Sequence, residues 1–281
     1  MQNGLAAMSI DVEDWFQVEN LRRAIPRESW ESRTLRVERN MDRMLELMAE
    51  TGVSCTCFVL GWIAERRPSL VARIADEGHE IASHGYGHDL IGTLSPDAFR
   101  ADVERSKRIL EDVSGVEVNG YRAPNFSITD WSIPILQDVG YTYDSSSFAT
   151  IAHDRYGRLT GVGPEASVVE LRPGFHEICV STLNVGTRGV PWGGGAYFRL
   201  IPYRLFRWGV RRVLRSGRPY VFYIHPWEID PQQPRVKNLP PTFRFRHYVG
   251  LGRAEKRLGS LFQDFRWSTM SQVLAGSLDA S

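Results

Sequence analysis

Along the first half of the chain, apolar residues follow two rhythms in turn. Short runs of strand-like pattern, 7–13, "VSCTCFVLG" and "HEIASH", alternate with stretches where apolar residues return every three or four positions. In the first run Met8, Ile10 and Val12 fall on one face, and Ser9, Asp11 and Glu13 on the other. Val37, Met41, Met44, Leu45 and Met48 keep helical spacing, and Gly52 stands where that helix would stop. A second helix is expected over Ser69–Glu77, closing at Gly78. Ser95 and Pro96 supply an N-cap and a first-turn proline for a third, running to about Val113. "VNGYRAP" reads as a strand end, 129–139 as a helix, and Gly140 leads into "YTYDSSS". Such alternation predicts an α/β fold, a parallel sheet or barrel with helices outside. Functional groups on such folds gather where loops leave the C-terminal ends of strands.

After residue 150 the alternation weakens. Strands and turns are expected over 165–200 around the glycine-rich "PWGGGAYFRL", and a basic amphipathic helix over 202–216. "RPYVFYIHPWEID" is an apolar strand ending in polar groups, "DPQQPRVKNLPPTF" a proline-rich loop, and "RAEKRLGSLFQDF" a helix. We read one domain over 1–281, with an insertion at about 150–217 and a C-terminal extension at about 231–281.

Charge divides the chain unevenly. Residues 1–198 hold 19 Lys/Arg against 28 Asp/Glu, whereas 199–281 hold 15 against 5. The overall charge of +1 disfavours a nucleic-acid binder. The basic final third packs against the acidic portion, forms a solvated helix face, or faces an acidic polymer, an anionic membrane or a lipid-linked substrate. No apolar run is long enough to cross a membrane, and the N-terminal stretch lacks the pattern of a signal peptide, so a cytoplasmic location is expected. Cys55, Cys57 and Cys179 form no disulfide or zinc framework and are expected to be buried thiols.

Three carboxylates, Asp11, Glu13 and Asp14, crowd the end of the first strand, and like charges there need a cation. Strand alternation favours Glu13 as a metal ligand beside Asp11, with Asp14 the alternative. "SHGYGH" places His84 and His88 four apart after a strand, in a segment that Gly85 and Gly87 make a tight turn. Two imidazoles and one carboxylate with an open position form the ligand set of catalytic zinc. Arg122 ends a strand and is placed to hold Asp11 by a bidentate ion pair. His225 emerges from a buried strand into an aromatic mouth, the position of a general acid. His79 has no such partner and is expected to pack.

Together "SIDVEDWFQVEN", "ASHGYGH", "GYRAPNFSI", "YTYDSSSF", "PWGGGAYFRL" and "YIHPWEID" resemble the polysaccharide deacetylases of carbohydrate esterase family 4. More narrowly, the chain looks like the branch associated with exosortase-linked exopolysaccharide loci. The resemblance implies a distorted (β/α) barrel and metal-dependent hydrolysis of an N-acetyl group on a saccharide. It matches Asp11 to the catalytic base, Arg122 to the arginine that pairs with it, and His84 and His88 to the metal-binding histidines. His225 matches the catalytic acid and Asp144 the aspartate supporting it. The implied metal is Zn2+, with Co2+, Ni2+ or Mn2+ as alternatives. Trp15, Tyr86, Phe126, Trp192, Tyr197 and Trp227 are the aromatic candidates for sugar-ring contact. The chain departs from the wider family in spacing its first acids with a valine and in having Gly85 after the first metal histidine. Hydrolysis of a small cyclic or acyl amide, and a silent carbohydrate-binding scaffold, are the competing readings.

Overall fold

The first strand, β1 (Ala6–Val12), is buried along its whole length on both faces, as a central parallel strand must be. Its position organises a computed structural model that describes residues 5–148, 157–163, 165–185 and 188–279. β2 (Thr56–Val59), β3 (Glu80–Ser83), β4 (Gly120–Tyr121) and β5 (Tyr143–Asp144) follow in order on one side of β1. β10 (Tyr220–Ile224) lies parallel to β1 on its other side, with Ser9 opposite Tyr223. β7 (Phe175–Ile178) continues the parallel set beyond β5, and β6 (Val168–Arg172) pairs with it antiparallel at the edge. β8 (Thr182–Val185) and β9 (Arg188–Pro191) form a separate antiparallel ribbon.

The sheet curls until its two sides nearly meet. Val221 N–H donates to Ser181 Oγ at 2.8 Å, and Tyr223 N–H donates to Gly193 O at 2.7 Å. These contacts bridge the gap without a continuous ladder, which gives the distorted (β/α) barrel expected from the sequence.

Helices α1 (Val37–Thr51), α2 (Gly61–Arg66), α3 (Pro68–Asp76), α4 (Pro96–Ser114) and α5 (Ser132–Val139) cover the outside of β1–β5. Ser95 Oγ accepts the Ala98 N–H at 3.2 Å, and Gly52 and Gly140 close α1 and α5 in the left-handed conformation, as their spacing predicts. α6 (Gly195–Leu200) and α7 (Tyr203–Arg215) lead into β10; α8 (Pro241–Tyr248), α9 (Leu251–Asp264) and α10 (Met270–Leu278) follow it. Residues 150–156, 164, 186 and 187 of the expected insertion lie outside the described residues.

Strand alternation sorts the interior. Met8, Ile10 and Val12 pack outward into the main core, while Ala7 joins Phe58, Ala82, Tyr143, Ile178 and Val221 inside the barrel. Met270 and Val273 of α10 complete that inner cluster, so the C-terminal helix plugs the end opposite the C-termini of the strands. A capping box between Thr269 and Gln272 starts the plug, and Met270 N–H donates to Thr56 Oγ1 at 2.7 Å. Above this apolar floor the inner face turns polar, beginning with Ser9 and Arg122. No described helix is long and apolar enough to cross a membrane. The three cysteines are buried and free.

Candidate active site

The polar layer is built around Arg122, which is fully buried. Nη1 donates to Asp11 Oδ1 at 2.6 Å and to Ser9 Oγ at 2.9 Å; Nε donates to Ser145 O at 2.9 Å and Nη2 to Ser145 Oγ at 3.0 Å. The guanidinium lies 4.0 Å from the Phe58 ring centroid. Asp11 is therefore held by one guanidinium nitrogen, where the sequence suggested a bidentate grip. The other nitrogens tie β4 to the end of β5, because all three strand ends converge there.

β1 stops at Val12, and Glu13 N–H turns back onto Asp11 O at 2.9 Å. The turn keeps Glu13 buried and facing the strand ends. Glu13, His84 and His88 bring three ligand atoms within 4.8 Å of one another, all buried. His88 Nε2 sits 2.9 Å from Glu13 Oε2, yet among the described residues that oxygen accepts no aligned hydrogen bond. Three ligand atoms this close, with no aligned hydrogen bond joining His88 to Glu13, suit a shared cation. His84 Nδ1 lies 2.8 Å from Arg122 O, which fixes the ring and leaves Nε2 free for a ligand bond. Burial dominates in holding the His84 imidazole down at about 4, so it is neutral at physiological pH, as a metal ligand must be. Burial raises the Glu13 carboxyl, but His88, His225 and His84 outweigh it and bring it to about 2. The donor set, two imidazoles and a carboxylate, fits a divalent first-row cation such as zinc.

Asp14 points elsewhere. Its Oδ2 accepts from Arg36 N–H at 2.6 Å and Val37 N–H at 2.9 Å, and Oδ1 from Trp15 N–H at 2.8 Å. It serves the amino end of α1, where free N–H groups need acceptors, and lies outside the Glu13–His84–His88 cluster. Burial lifts its carboxyl to about 6 despite those bonds.

Opposite Glu13 stands His225, with Nε2 3.4 Å from Glu13 Oε1 and 3.8 Å from Asp11 Oδ2. Its Nδ1 meets Glu228 Oε1 at 2.8 Å, and Glu228 Oε2 accepts from Arg199 Nε at 2.7 Å. Burial alone would lower the imidazole; the carboxylates of Glu13, Glu228 and Asp11 raise it to about 9. Burial likewise opposes the charge on Glu228, and Arg199 and His225 overcome this to hold it at about 2. The support expected of Asp144 is thus supplied by Glu228. Asp144 is buried beside Glu177, bonded by Ser146 Oγ at 2.5 Å, with both carboxyls pushed up by burial. Glu177 Oε1 accepts the Ser146 and Ser147 N–H groups at 3.1 and 2.7 Å, fixing the segment that seats Arg122.

Neither Glu228 nor Arg199 was singled out from the sequence. The signal lay in "GGG": a Cβ on Gly195 would fall 2.2 Å from Glu228 Oε1, so α6 can approach only without a side chain there.

Asp11, Glu13, His84, His88, Arg199, His225 and Glu228 line one cleft of about 100 Å³ with Asn125, Phe126, Tyr223, Trp227, Arg246 and His247. Of the six aromatic candidates, Phe126 and Trp227 reach it. Trp227 Nε1 donates to Glu13 Oε1 at 3.2 Å, and its ring stacks between His225 and His247 at 5.1 and 4.4 Å. Trp15 instead packs edge-on to Phe16, and Trp192 stacks on Phe206 in the core. Tyr86 bonds to Glu65 under Arg105, and Tyr197 is absent from the cleft lining. Asn125 Nδ2 is a buried donor without a partner among the described residues, held at positive φ beside Phe126. A larger cleft of about 700 Å³ opens beside Asp42, Arg73, Glu77 and His79. It precedes β2 and β3 in the chain and assembles no ligand triad among the described residues.

Residues 32–143 match the family model for polysaccharide deacetylase, and residues 146–275 match a domain of unknown function, DUF3473. The chain is 29% identical to a peptidoglycan-N-acetylglucosamine deacetylase of Bacillus cereus over 37% of its length and 43% of that protein's. It is 35% identical to a chitooligosaccharide deacetylase of Sinorhizobium fredii over 33% of its length and 42% of that protein's. The chain therefore spans less than half of these curated relatives. Its fold matches a solved putative polysaccharide deacetylase from Mycobacterium smegmatis at a TM-score of 0.59 and 21% identity, covering 96% of this chain and 90% of that one. A CE4 family pseudoenzyme from Bacillus anthracis matches at 0.52 and 15% identity, over 98% and 66%. The fold is thus shared with a pseudoenzyme, and the side chains in the cleft must carry the argument about chemistry.

Proposed function

We propose that this chain, which carries a polysaccharide deacetylase domain of carbohydrate esterase family 4, is a divalent-metal-dependent N-deacetylase. Its substrate in this reading is an N-acetylated sugar polymer or its lipid-linked precursor in exopolysaccharide biosynthesis, as the exosortase-linked motifs suggest. One observation carries the reading: a Glu13–His84–His88 triad faces Asp11 and His225 across a single cleft.

A cation on that triad would supply Lewis-acid polarisation of the amide carbonyl and acidify a water molecule. The chain's own groups do the rest. Asp11, aimed by Arg122, accepts the proton of the attacking water. His225 Nε2 delivers a proton to the departing amine nitrogen, a poor leaving group unless protonated, while Glu228 holds the opposite ring nitrogen. Asn125 Nδ2 offers a donor to a substrate oxygen, which would satisfy its own unmet bond. Phe126, Tyr223 and Trp227 provide apolar faces for a sugar ring.

Acetate release from N-acetylated oligosaccharides, with and without chelator, tests this. Release abolished by chelation, restored by Zn2+ and lost in Asp11→Asn supports it. Turnover of small cyclic or acyl amides alone would favour the rival hydrolase, and no release from any amide would favour a silent scaffold.

A further inference from the structure

Among the described residues, the ion pairs that reach arginines of the basic final third come from its own acids, Glu228 and Asp264. Arg43, from the acidic portion, takes up Glu255 of the final third, and Arg207 bonds Asp264 within the third itself, while among the described residues no carboxylate pairs with Arg204, Arg211, Arg212 or Arg215 of α7. α7 buries Phe206, Gly209, Val210, Val213 and Leu214 against the barrel. Its other side exposes Arg204, Leu205, Trp208, Arg212 and Arg215, whose spacing makes one continuous stripe. Leu205 and Trp208 are each 49% exposed, and Leu200 at the end of α6 is 51% exposed. The Arg212 guanidinium lies 5.7 Å from the Trp208 ring centroid. Residues 203–215 contain no acid.

A helix that shows water both a tryptophan and a leucine, ringed by unpaired arginines, has the make-up of an interfacial helix. Tryptophan settles at headgroup depth, and arginine attracts lipid phosphate. Charge complementarity selects the occupant. In a two-fold contact with a second copy, the stripe's arginines would face one another with no acid on the stripe to receive them. We propose that the exposed stripe of α7 docks the protein on an anionic bilayer surface, with Leu205 and Trp208 set among the headgroups. This docking stands apart from the deacetylase reading and survives its failure.

Co-sedimentation of the full chain with vesicles tests it, using equal parts phosphatidylglycerol and phosphatidylcholine against phosphatidylcholine alone. The wild type is expected to bind only the anionic vesicles. Leu205→Ala/Trp208→Ala should lower the partition coefficient at least about tenfold. Arg212→Glu/Arg215→Glu should lower it at least about twenty-fivefold, at about fivefold for each arginine. Melting curves of both variants should stay close to the wild type, since all four side chains are exposed and, among the described residues, none belongs to the buried core cluster. Three results overturn the proposal: no binding of the anionic vesicles by the wild type, equal binding by the Leu205→Ala/Trp208→Ala variant, or a concentration-dependent dimer that Trp208→Ala dissolves.

Discussion

Replacing Glu228 with glutamine keeps its shape and removes its charge from between Arg199 and His225. Arg199 and Glu228 are each about 1% exposed and meet at 2.7 Å, so the guanidinium would be left buried without a counterion. Removing one partner of such a pair costs about 3–5 kcal/mol. Linkage gives a similar figure: a carboxyl at about 2 in the fold against an ordinary 4.5 corresponds to about 3 kcal/mol at neutral pH. The depressed value means this stability is present above the ordinary pKa and lost as acid brings the pH down toward 2. For a chain of this size the substitution should lower the melting temperature by about 6–12 °C. Catalysis should respond separately. Glu228 is one of the carboxylates that raise the His225 imidazole, so the alkaline fall of the rate profile should move to lower pH in Glu228→Gln. The maximal rate should drop roughly a hundredfold as the general acid loses its orientation. Thermal unfolding and acetate release across pH read both effects. An unchanged melting point and an unmoved alkaline limb would refute the Arg199–Glu228–His225 chain; a lower melting point with an unmoved limb would leave Glu228 a structural role only.

Other expectations follow from the same geometry. Glu13→Gln should lose bound Zn2+ after dialysis whereas Asp14→Asn keeps it, as metal analysis by mass spectrometry would show. Between about pH 4 and 6 the folded state holds a proton on Asp14 that the unfolded chain does not, so this group's contribution to stability falls as pH rises through that window. Urea unfolding of Asp14→Asn should lack that slope. Gly195→Ala would press a methyl against Glu228 Oε1, and should reproduce the activity loss of Glu228→Gln while the bound metal is retained.

Much of the barrel was legible because its signals are local. Period-two alternation placed Asp11 on the inner face, and the glycines after α1 and α5 and the Ser95 cap marked helix ends without tertiary information. The candidate site was legible where spacing carried its geometry: His84 and His88 share one glycine-bent turn, and Gly85 takes the positive φ expected of such a bend. Long-range pairings were not legible. Asp14 sits one residue from Glu13, yet its partners lie at Arg36 and Val37, where α1 begins. Support for His225 comes from a residue three places on and an arginine in α6, so motif order led to Asp144 instead. The aromatic candidates divided by packing that no periodicity reveals. Trp15 and Trp192 fill the core, while Tyr223, unremarked within an apolar strand, lines the cleft beside Phe126.

In the proposed mechanism everything depends on Glu13, His84 and His88 gripping one cation that faces Asp11 and His225. An anomalous difference map at the zinc edge, from crystals of the Zn2+-loaded protein, addresses it directly. One strong peak is expected within bonding distance of His84 Nε2, an imidazole nitrogen of His88 and a Glu13 carboxylate oxygen. A cleft without a peak, or a zinc bound at Asp14 or elsewhere, would contradict it.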